Sequence, residues 1–216
     1  MSNNSNIDIR IKKMPVGYMM TNCYIVFNDT TKEAIIVDPG FDAERIFKFV
    51  SDNSLKPVGI FLTHGHFDHI GCVTEVKVKY NAKIYLPELE RETFTDINMN
   101  YTLQELGKSV IVKGDVYLND DDIVEILGTK IKALSTPGHT AGGMCFYIEE
   151  AGVLLAGDTL FYGSVGRTDF AGGSMSKLVR SVKEKLFVLP DNTLVLPGHG
   201  ENTDIGFEKV NNPFLI

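Results

Sequence analysis

The stretch Val58-Gly59-Ile60-Phe61-Leu62-Thr63-His64-Gly65-His66-Phe67-Asp68-His69 joins a short apolar run to a dense H-x-H-x-D-H cluster. The run reads as a buried strand, and the cluster begins where the chain leaves the sheet. His64 and His66 are alternate residues of an extended segment, so they project to one side. Asp68 and His69 turn toward a second point nearby. Side chains of these types, converging from a strand end, suit a metal site.

Three more candidates follow the same plan. His139 follows a strand at 130–135 through Thr136-Pro137-Gly138, Asp158 follows 153–156 through Gly157, and His199 follows 193–196 through Pro197-Gly198. Glycine at each turn lets the backbone bend sharply close to an ion. Taken singly, a histidine after a strand or an aspartate beside a glycine reads as an ordinary surface or turn residue. Here all five histidines of the chain fall at such positions. Together with Asp68 and Asp158 they exceed what one four-coordinate ion uses, so two divalent metals are expected. A His and Asp donor set without cysteine suits zinc first, with iron or manganese as alternatives.

The rest of the composition bounds the function. The 216 residues carry 21 basic against 28 acidic side chains, a net charge of −7, which argues against a nucleic-acid partner. The three cysteines, Cys23, Cys72 and Cys145, are far apart and form no C-x-x-C pair, as in a reducing compartment. Cys72 reads as a small buried filler. The polar start Met-Ser-Asn-Asn-Ser-Asn has no apolar segment behind it, and no run approaches membrane-spanning length. A soluble, cytoplasmic protein acting on a small molecule is the expectation.

Outward from the cluster, the pattern alternates short strands and helices. Strands are expected at 7–12, 23–27, 34–37, 58–62 and 83–86, with helices at 42–51, started by an Asp42 cap, and at 70–80. A weakly patterned stretch, 88–109, reads either as a solvated helix-loop or as a rim over the site, with Met99 and Tyr101 as rim residues. Strands resume at 110–112, 123–126, 130–135, 144–148 and 153–156, then a helix at 176–187 and a strand at 193–196. No linker divides the chain, so one α/β domain over 1–216 is expected, two sheets packed inside helices.

These motifs resemble the metallo-β-lactamase-fold hydrolases, and within them the glyoxalase II (hydroxyacylglutathione hydrolase) group, especially its short bacterial members. The resemblance rests on residues 63–69, Thr136-Pro137-Gly138-His139-Thr140, Gly157-Asp158-Thr159-Leu160-Phe161, Gly166-Arg167-Thr168-Asp169-Phe170 and Pro197-Gly198-His199-Gly200. It implies a four-layer αββα sandwich with the metals at one edge. It also implies that His64, His66 and His139 hold one metal, that Asp68, His69 and His199 hold the other, and that Asp158 bridges them. Asp38 matches a position that supports the ligands from behind. Its plainer reading is an aspartate closing a strand before Pro39-Gly40. Arg167 falls where the group places a basic glutathione contact, but Asp169 stands where a tyrosine is common, and only 17 residues follow His199 where longer members add a helical domain.

The expected reaction is thioester hydrolysis, S-lactoylglutathione being one such substrate, by a hydroxide held between two metals and oriented by Asp68. No histidine is left over as a general acid, and a thiolate, with a thiol pKa near ~8.5, leaves without one. Two other readings stay open. Residues 166–169 also resemble persulfide dioxygenases of the same fold, with one iron at His64, His66 and His139 or Asp158. A non-catalytic, metal-stabilised binding protein is the third.

Overall fold

The computed structural model describes residues 8–215. Its first sheet is built from β1 (Ile9–Val16), β2 (Thr21–Asn28), β3 (Glu33–Val37), β4 (Lys56–Phe61), β5 (Lys83–Pro87) and β6 (Val116–Leu118), in that spatial order. The helices of this half are α1 (Ala43–Asp52), α2 (Phe67–Ile70), α3 (Val73–Tyr80), α4 (Arg91–Thr95) and α5 (Thr102–Leu106). The second half adds β7 (Ile123–Ile126), β8 (Thr129–Ser135), β9 (Met144–Ile148), β10 (Val153–Gly157), the hairpin β11 (Leu160–Phe161) and β12 (Ser164–Val165), α6 (Met175–Ser181), β13 (Leu194–Pro197), β14 (Thr203–Asp204) and α7 (Ile205–Asn211). Its sheet runs β14-β13-β10-β9-β8-β7.

The inner strands of both sheets are apolar on both faces and so read as continuous apolar runs, whereas the edge strands β1 and β7 alternate. Successive residues of a strand point to opposite faces. Ile25 and Ile36 therefore face α1 and α3, packing with Ile46, Val50 and Val76. Their neighbours Val26 and Ile35 face the second sheet, meeting Ile131, Phe146 and Leu155. On the far side Leu134, Leu154 and Val195 pack against Leu178, Val182 and Leu186 of the helical segment beginning with α6. The result is a helix-sheet-sheet-helix sandwich, as the sequence implied.

β3, β4 and β5 run parallel, as do β10 and β13. Parallel strands place their C-terminal ends at one edge, where α/β folds put their ligand sites. That edge receives Asp38 after β3, the His64–His69 cluster after β4, Asp158 after β10 and His199 after β13. β8, antiparallel to β9, delivers His139 to the same edge.

Several local expectations are corrected. Residues 110–112 form no strand: Val110 and Val112 plug the helix-side core, Val112 N–H donates to Phe94 O at 3.0 Å, and the ladder is made instead by β6. The helix expected at 70–80 is two helices interrupted at Gly71-Cys72, and the first begins at Phe67, so Asp68 and His69 sit on a helical turn rather than in a loop. Asp42 stands at the N-cap position of α1, but its side chain makes no capping hydrogen bond. It adopts φ 56°, and its carboxylate accepts instead from Gly17 N–H (3.1 Å) and Arg45 (3.0 Å). The helix expected at 176–187 starts one residue earlier, behind Ser174, and widens into a π turn at Val182–Leu186. Cys72 is half-buried rather than buried. The first strand spans Ile9–Val16, and Ile7, expected to begin it, lies outside the described residues.

Phe146 is fully buried between the sheets, edge-on to Phe61 at 5.2 Å. Phe146→Ala is expected to cost about 3–5 kcal/mol in urea unfolding, through lost burial and the cavity left behind. Ile123→Ala on the edge strand β7, where the side chain is 57% exposed, should change stability by less than about 0.5 kcal/mol.

Candidate metal centre

Loops from the two sheets are tied together where the site forms. Met144 N–H donates to Thr63 O (3.0 Å), Asn22 N–H to Gly198 O (2.7 Å) and Tyr24 O–H to Pro197 O (2.8 Å). Gly198 gives the site room: a Cβ there would stand 2.1 Å from Asp158 Oδ1 and 2.8 Å from His69 Cε1.

Three overlapping groups of donor atoms result, each within 4.8 Å of one another: His64, His66 and His139; His64, His69 and Asp158; Asp68, His69 and His199. His139 Nε2 lies 3.0 Å from His66 Nδ1. Asp158 is central, with Oδ2 3.6 Å from both His139 Nε2 and His199 Nε2, and Oδ1 3.4 Å from His69 Nε2. His199 Nε2 is 3.2 Å from Asp68 Oδ2. Donors around one tetrahedral ion at about 2.05 Å stand roughly 3.3 Å apart, so these spacings are of the right size.

The outward nitrogens of four of the five rings are accounted for. His69 Nδ1 donates to Asp38 Oδ2 (2.9 Å), which also accepts from the Thr63 hydroxyl (2.6 Å), while Asp38 Oδ1 accepts from Thr63 N–H (2.8 Å). With its hydroxyl proton spent on Asp38, Thr63 Oγ1 is left to accept from His64 Nδ1 at 3.1 Å. His139 Nδ1 donates to Arg167 O (2.6 Å) and His199 Nδ1 to Met19 O (3.2 Å). Each of these bonds fixes a tautomer and turns Nε2 inward. Inside, His64 Nε2, His69 Nε2 and Asp158 Oδ1 are buried without a hydrogen-bond partner. Buried polar atoms are rarely left so. Unpartnered imidazole and carboxylate atoms facing one point fit a divalent cation.

Protonation follows the same division. Burial, with His69 and His66 alongside, holds His64 far below the ordinary imidazole range, and burial together with His139 pushes His66 down to about 3. Both rings are neutral, lone pairs available. His69 goes the other way: burial opposes its charge, but Asp68, Asp158 and Asp38 outweigh it and raise it well above the ordinary value. Burial likewise opposes the charge of Asp158, and His69 overrides it, pulling the carboxyl well below its usual range. A proton among three carboxylates occupies the position a cation would take, so metal binding here releases protons.

A cavity of about 420 Å³ opens beside the cluster, lined by Met19, Phe67, Tyr101, Glu105, Phe161 and Phe170 among others. That is an ordinary size for a small-molecule site. A larger groove of about 860 Å³ lies at the opposite ends of the parallel strands, beside Glu33, Lys83 and Lys130, with none of the cluster in it. The chemistry, not the size, marks the smaller one.

The family model described as "Metallo-beta-lactamase superfamily" matches residues 16–199, a span holding every donor above. The chain belongs to the metallo-beta-lactamase superfamily. It is 38% identical to the probable metallo-hydrolase YqgX of Bacillus subtilis over 94% of this chain and 96% of that one. It is 35% identical to the hydroxyacylglutathione hydrolase GloC of Haemophilus influenzae over 96% and 98%. Among solved structures it resembles the BLEG-1 B3 metallo-beta-lactamase (TM-score 0.90, 38% identity, covering 95% of this chain and 99% of that one). It also resembles TTHA1623 in a di-iron-bound form (TM-score 0.83, 32% identity, covering 94% and 100%).

In this superfamily member the structure gathers His64, His66, Asp68, His69, His139, Asp158 and His199 at one edge and sets Asp38 behind His69. Arg167 reaches the cavity, but its guanidinium is clamped to Asp169 (3.0 and 2.8 Å) and lies 4.5 Å over the Phe170 ring. Tyr101 lines the cavity from the 88–109 stretch, together with Gln104 and Glu105 of α5, whereas Met99 does not. Thr21, whose hydroxyl donates to Asp68 Oδ2 (2.8 Å), and the Met19 carbonyl carry no signal in the sequence, and Thr63 stands in the 63–69 motif without its supporting role being readable there.

Asp38→Asn tests the supporting role. Asn tolerates the left-handed backbone that Asp38 adopts at φ 49°, but its amide would present a donor to His69 or to Thr63. Zinc affinity, measured by competition with a chromophoric chelator, is expected to fall about 10- to 100-fold.

Proposed function

We propose that this superfamily member hydrolyses small acyl thioesters at a centre of two divalent cations, zinc first, with iron or manganese as alternatives. The observation that carries the proposal is the position of Asp158, within 3.4–3.6 Å of His69, His139 and His199 and so shared between two donor sets. His64, His66 and His139 would hold one ion and Asp68, His69 and His199 the other, with Asp158 between them. When bound, such a pair supplies a water acidified toward neutral pH and a Lewis acid for the substrate carbonyl.

The chain's own residues do the rest. Asp68 faces the cavity with its carboxyl below the usual range: burial would raise it, but His69 and His199 outweigh that. It is therefore ionised at neutral pH, able to orient an attacking water and accept its proton. Thr21 holds one of its oxygens in place. Phe67, Tyr101, Phe161 and Phe170 give the acyl-thiol group an apolar wall. All five histidines lie in the cluster or its supports, so none serves as a proton donor to a leaving group. A thiolate needs no such donor, whereas an amine does. Likeness to a hydroxyacylglutathione hydrolase supports the same bond.

The thiol portion is less tied to glutathione. Among the described residues, the one arginine or lysine at the cavity wall is Arg167, which is neutralised by Asp169, and Glu105 adds a negative charge nearby. Asp169→Asn is expected to free the guanidinium and lower KM for S-lactoylglutathione roughly two- to five-fold, the range for an exposed pair. KM for an uncharged acyl thioester should stay unchanged.

Purified protein is expected to contain about two divalent metals per chain by elemental analysis. Asp158→Ala should abolish thioester hydrolysis while circular dichroism stays native. One iron per chain with oxygen uptake on a persulfide would overturn the hydrolase reading in favour of a dioxygenase. A protein that chelation destabilises but that leaves every thioester and persulfide untouched would point to a binding role.

A further inference from the structure

Glu90 is a fully buried carboxylate that belongs to none of the donor groups. It sits just before α4, and its oxygens are spent on backbone donors of two different loops. Oε2 accepts from Gly142 N–H at 2.7 Å and Oε1 from Gly65 N–H at 3.4 Å. Gly65 lies between His64 and His66 in the loop leaving the first sheet. Gly142 lies in the loop that carries His139 out of the second sheet, three residues further along. These are the loops whose imidazoles meet at 3.0 Å.

The approach is built into the backbone. A Cβ on Gly142 would stand 2.3 Å from Leu89 C and 2.4 Å from Glu90 N, and one on Gly65 would stand 2.9 Å from Thr93 Cγ2 and 3.1 Å from Phe94 N. A side chain at 142 would collide with the backbone of this segment, and one at 65 would force Thr93 and Phe94 back by a few tenths of an ångström. The segment is itself anchored, because Phe94 is fully buried in the helix-side core and its carbonyl holds Val112 N–H. A buried carboxylate is costly unless its lone pairs are filled. Both oxygens are filled here by N–H groups of ligand-bearing loops, and removing the carboxylate would orphan two buried donors at once.

We infer that Glu90 is a positioning residue that staples the His64–His66 loop to the His139 loop and so sets the geometry of the three-histidine end of the centre. This rests on the metal-centre reading above. The other end has supports that do not involve Glu90, Asp38 on His69 and Met19 O on His199. Loss of the staple should therefore loosen one metal and spare the other.

Two variants separate length from acceptor count. Glu90→Gln keeps the reach but turns one oxygen into a donor facing an N–H. Glu90→Asp keeps both acceptors but is one methylene too short to span them. Each is compared with the parent by zinc competition titration, by the visible spectrum of the Co²⁺-loaded protein and by the Tm of the metal-free protein. The expected result is that tight zinc sites fall from about two to about one, the weakened site losing about 10- to 100-fold in affinity, with an altered Co²⁺ spectrum. Both variants binding two zinc ions as tightly as the parent, with its Co²⁺ spectrum, would overturn the inference. So would a lower Tm with unchanged stoichiometry and spectrum in the folded fraction, which is the mark of a merely structural residue. A parent that binds no metal would defeat the metal-centre reading itself, a distinguishable outcome.

Discussion

A buried imidazole has two nitrogens to satisfy, and that constraint organises this edge of the molecule. Four of the five rings here find an acceptor for the outer N–H, which leaves the inner nitrogen free to be committed elsewhere. His69 finds Asp38, His64 finds Thr63, His139 finds the Arg167 carbonyl and His199 the Met19 carbonyl. Asp38 serves two rings, one directly and one through a hydroxyl, which explains why an aspartate holds a left-handed backbone conformation at the end of β3. The inward atoms are left facing one another beside the cavity.

The fold supplies what that arrangement needs. Three apolar layers fix the strands, and the strands fix where the loops begin. The polar cluster contributes little favourable energy of its own without a cation. It is held by the packing beneath it and by hydrogen bonds across the sheet edges, such as Asn22 to Gly198 and Met144 to Thr63. Function is thereby placed where the fold is strong enough to support unfavourable electrostatics, which is how ligand sites on rigid scaffolds commonly arise.

The sequence made the donor set readable because each donor follows the same grammar of apolar strand, turn and ligand. Strand runs such as Met144–Ile148 and Ile123–Ile126 were legible because burial on both faces, or alternation at an edge, leaves a local trace. Val110 and Val112 misled because a short apolar run plugs a core as readily as it forms a ladder. The break at Gly71-Cys72 and the diversion of the Asp42 side chain from capping α1 were settled by distant partners, Pro39 O for Cys72 N–H and Gly17 N–H for the Asp42 carboxylate. The supports, Thr63, Thr21, the Met19 carbonyl and Glu90, lay beyond reach for the same reason. A hydroxyl or a backbone carbonyl becomes a partner only through tertiary proximity. Arg167 was visible as a basic residue at the right place, but its fixed partner Asp169 decides how much of its charge a substrate meets.

Each of the three donor groups takes two members from the segment 64–69 and a single member from the second half of the chain: His139, Asp158 or His199. No group is complete until the later strands have been synthesised and have docked on the earlier ones. A nascent chain emerging from the ribosome can therefore hold no finished site, however much metal surrounds it. On the proposed metal-centre reading, loading would follow assembly, and a retained ion would report that the two halves have docked.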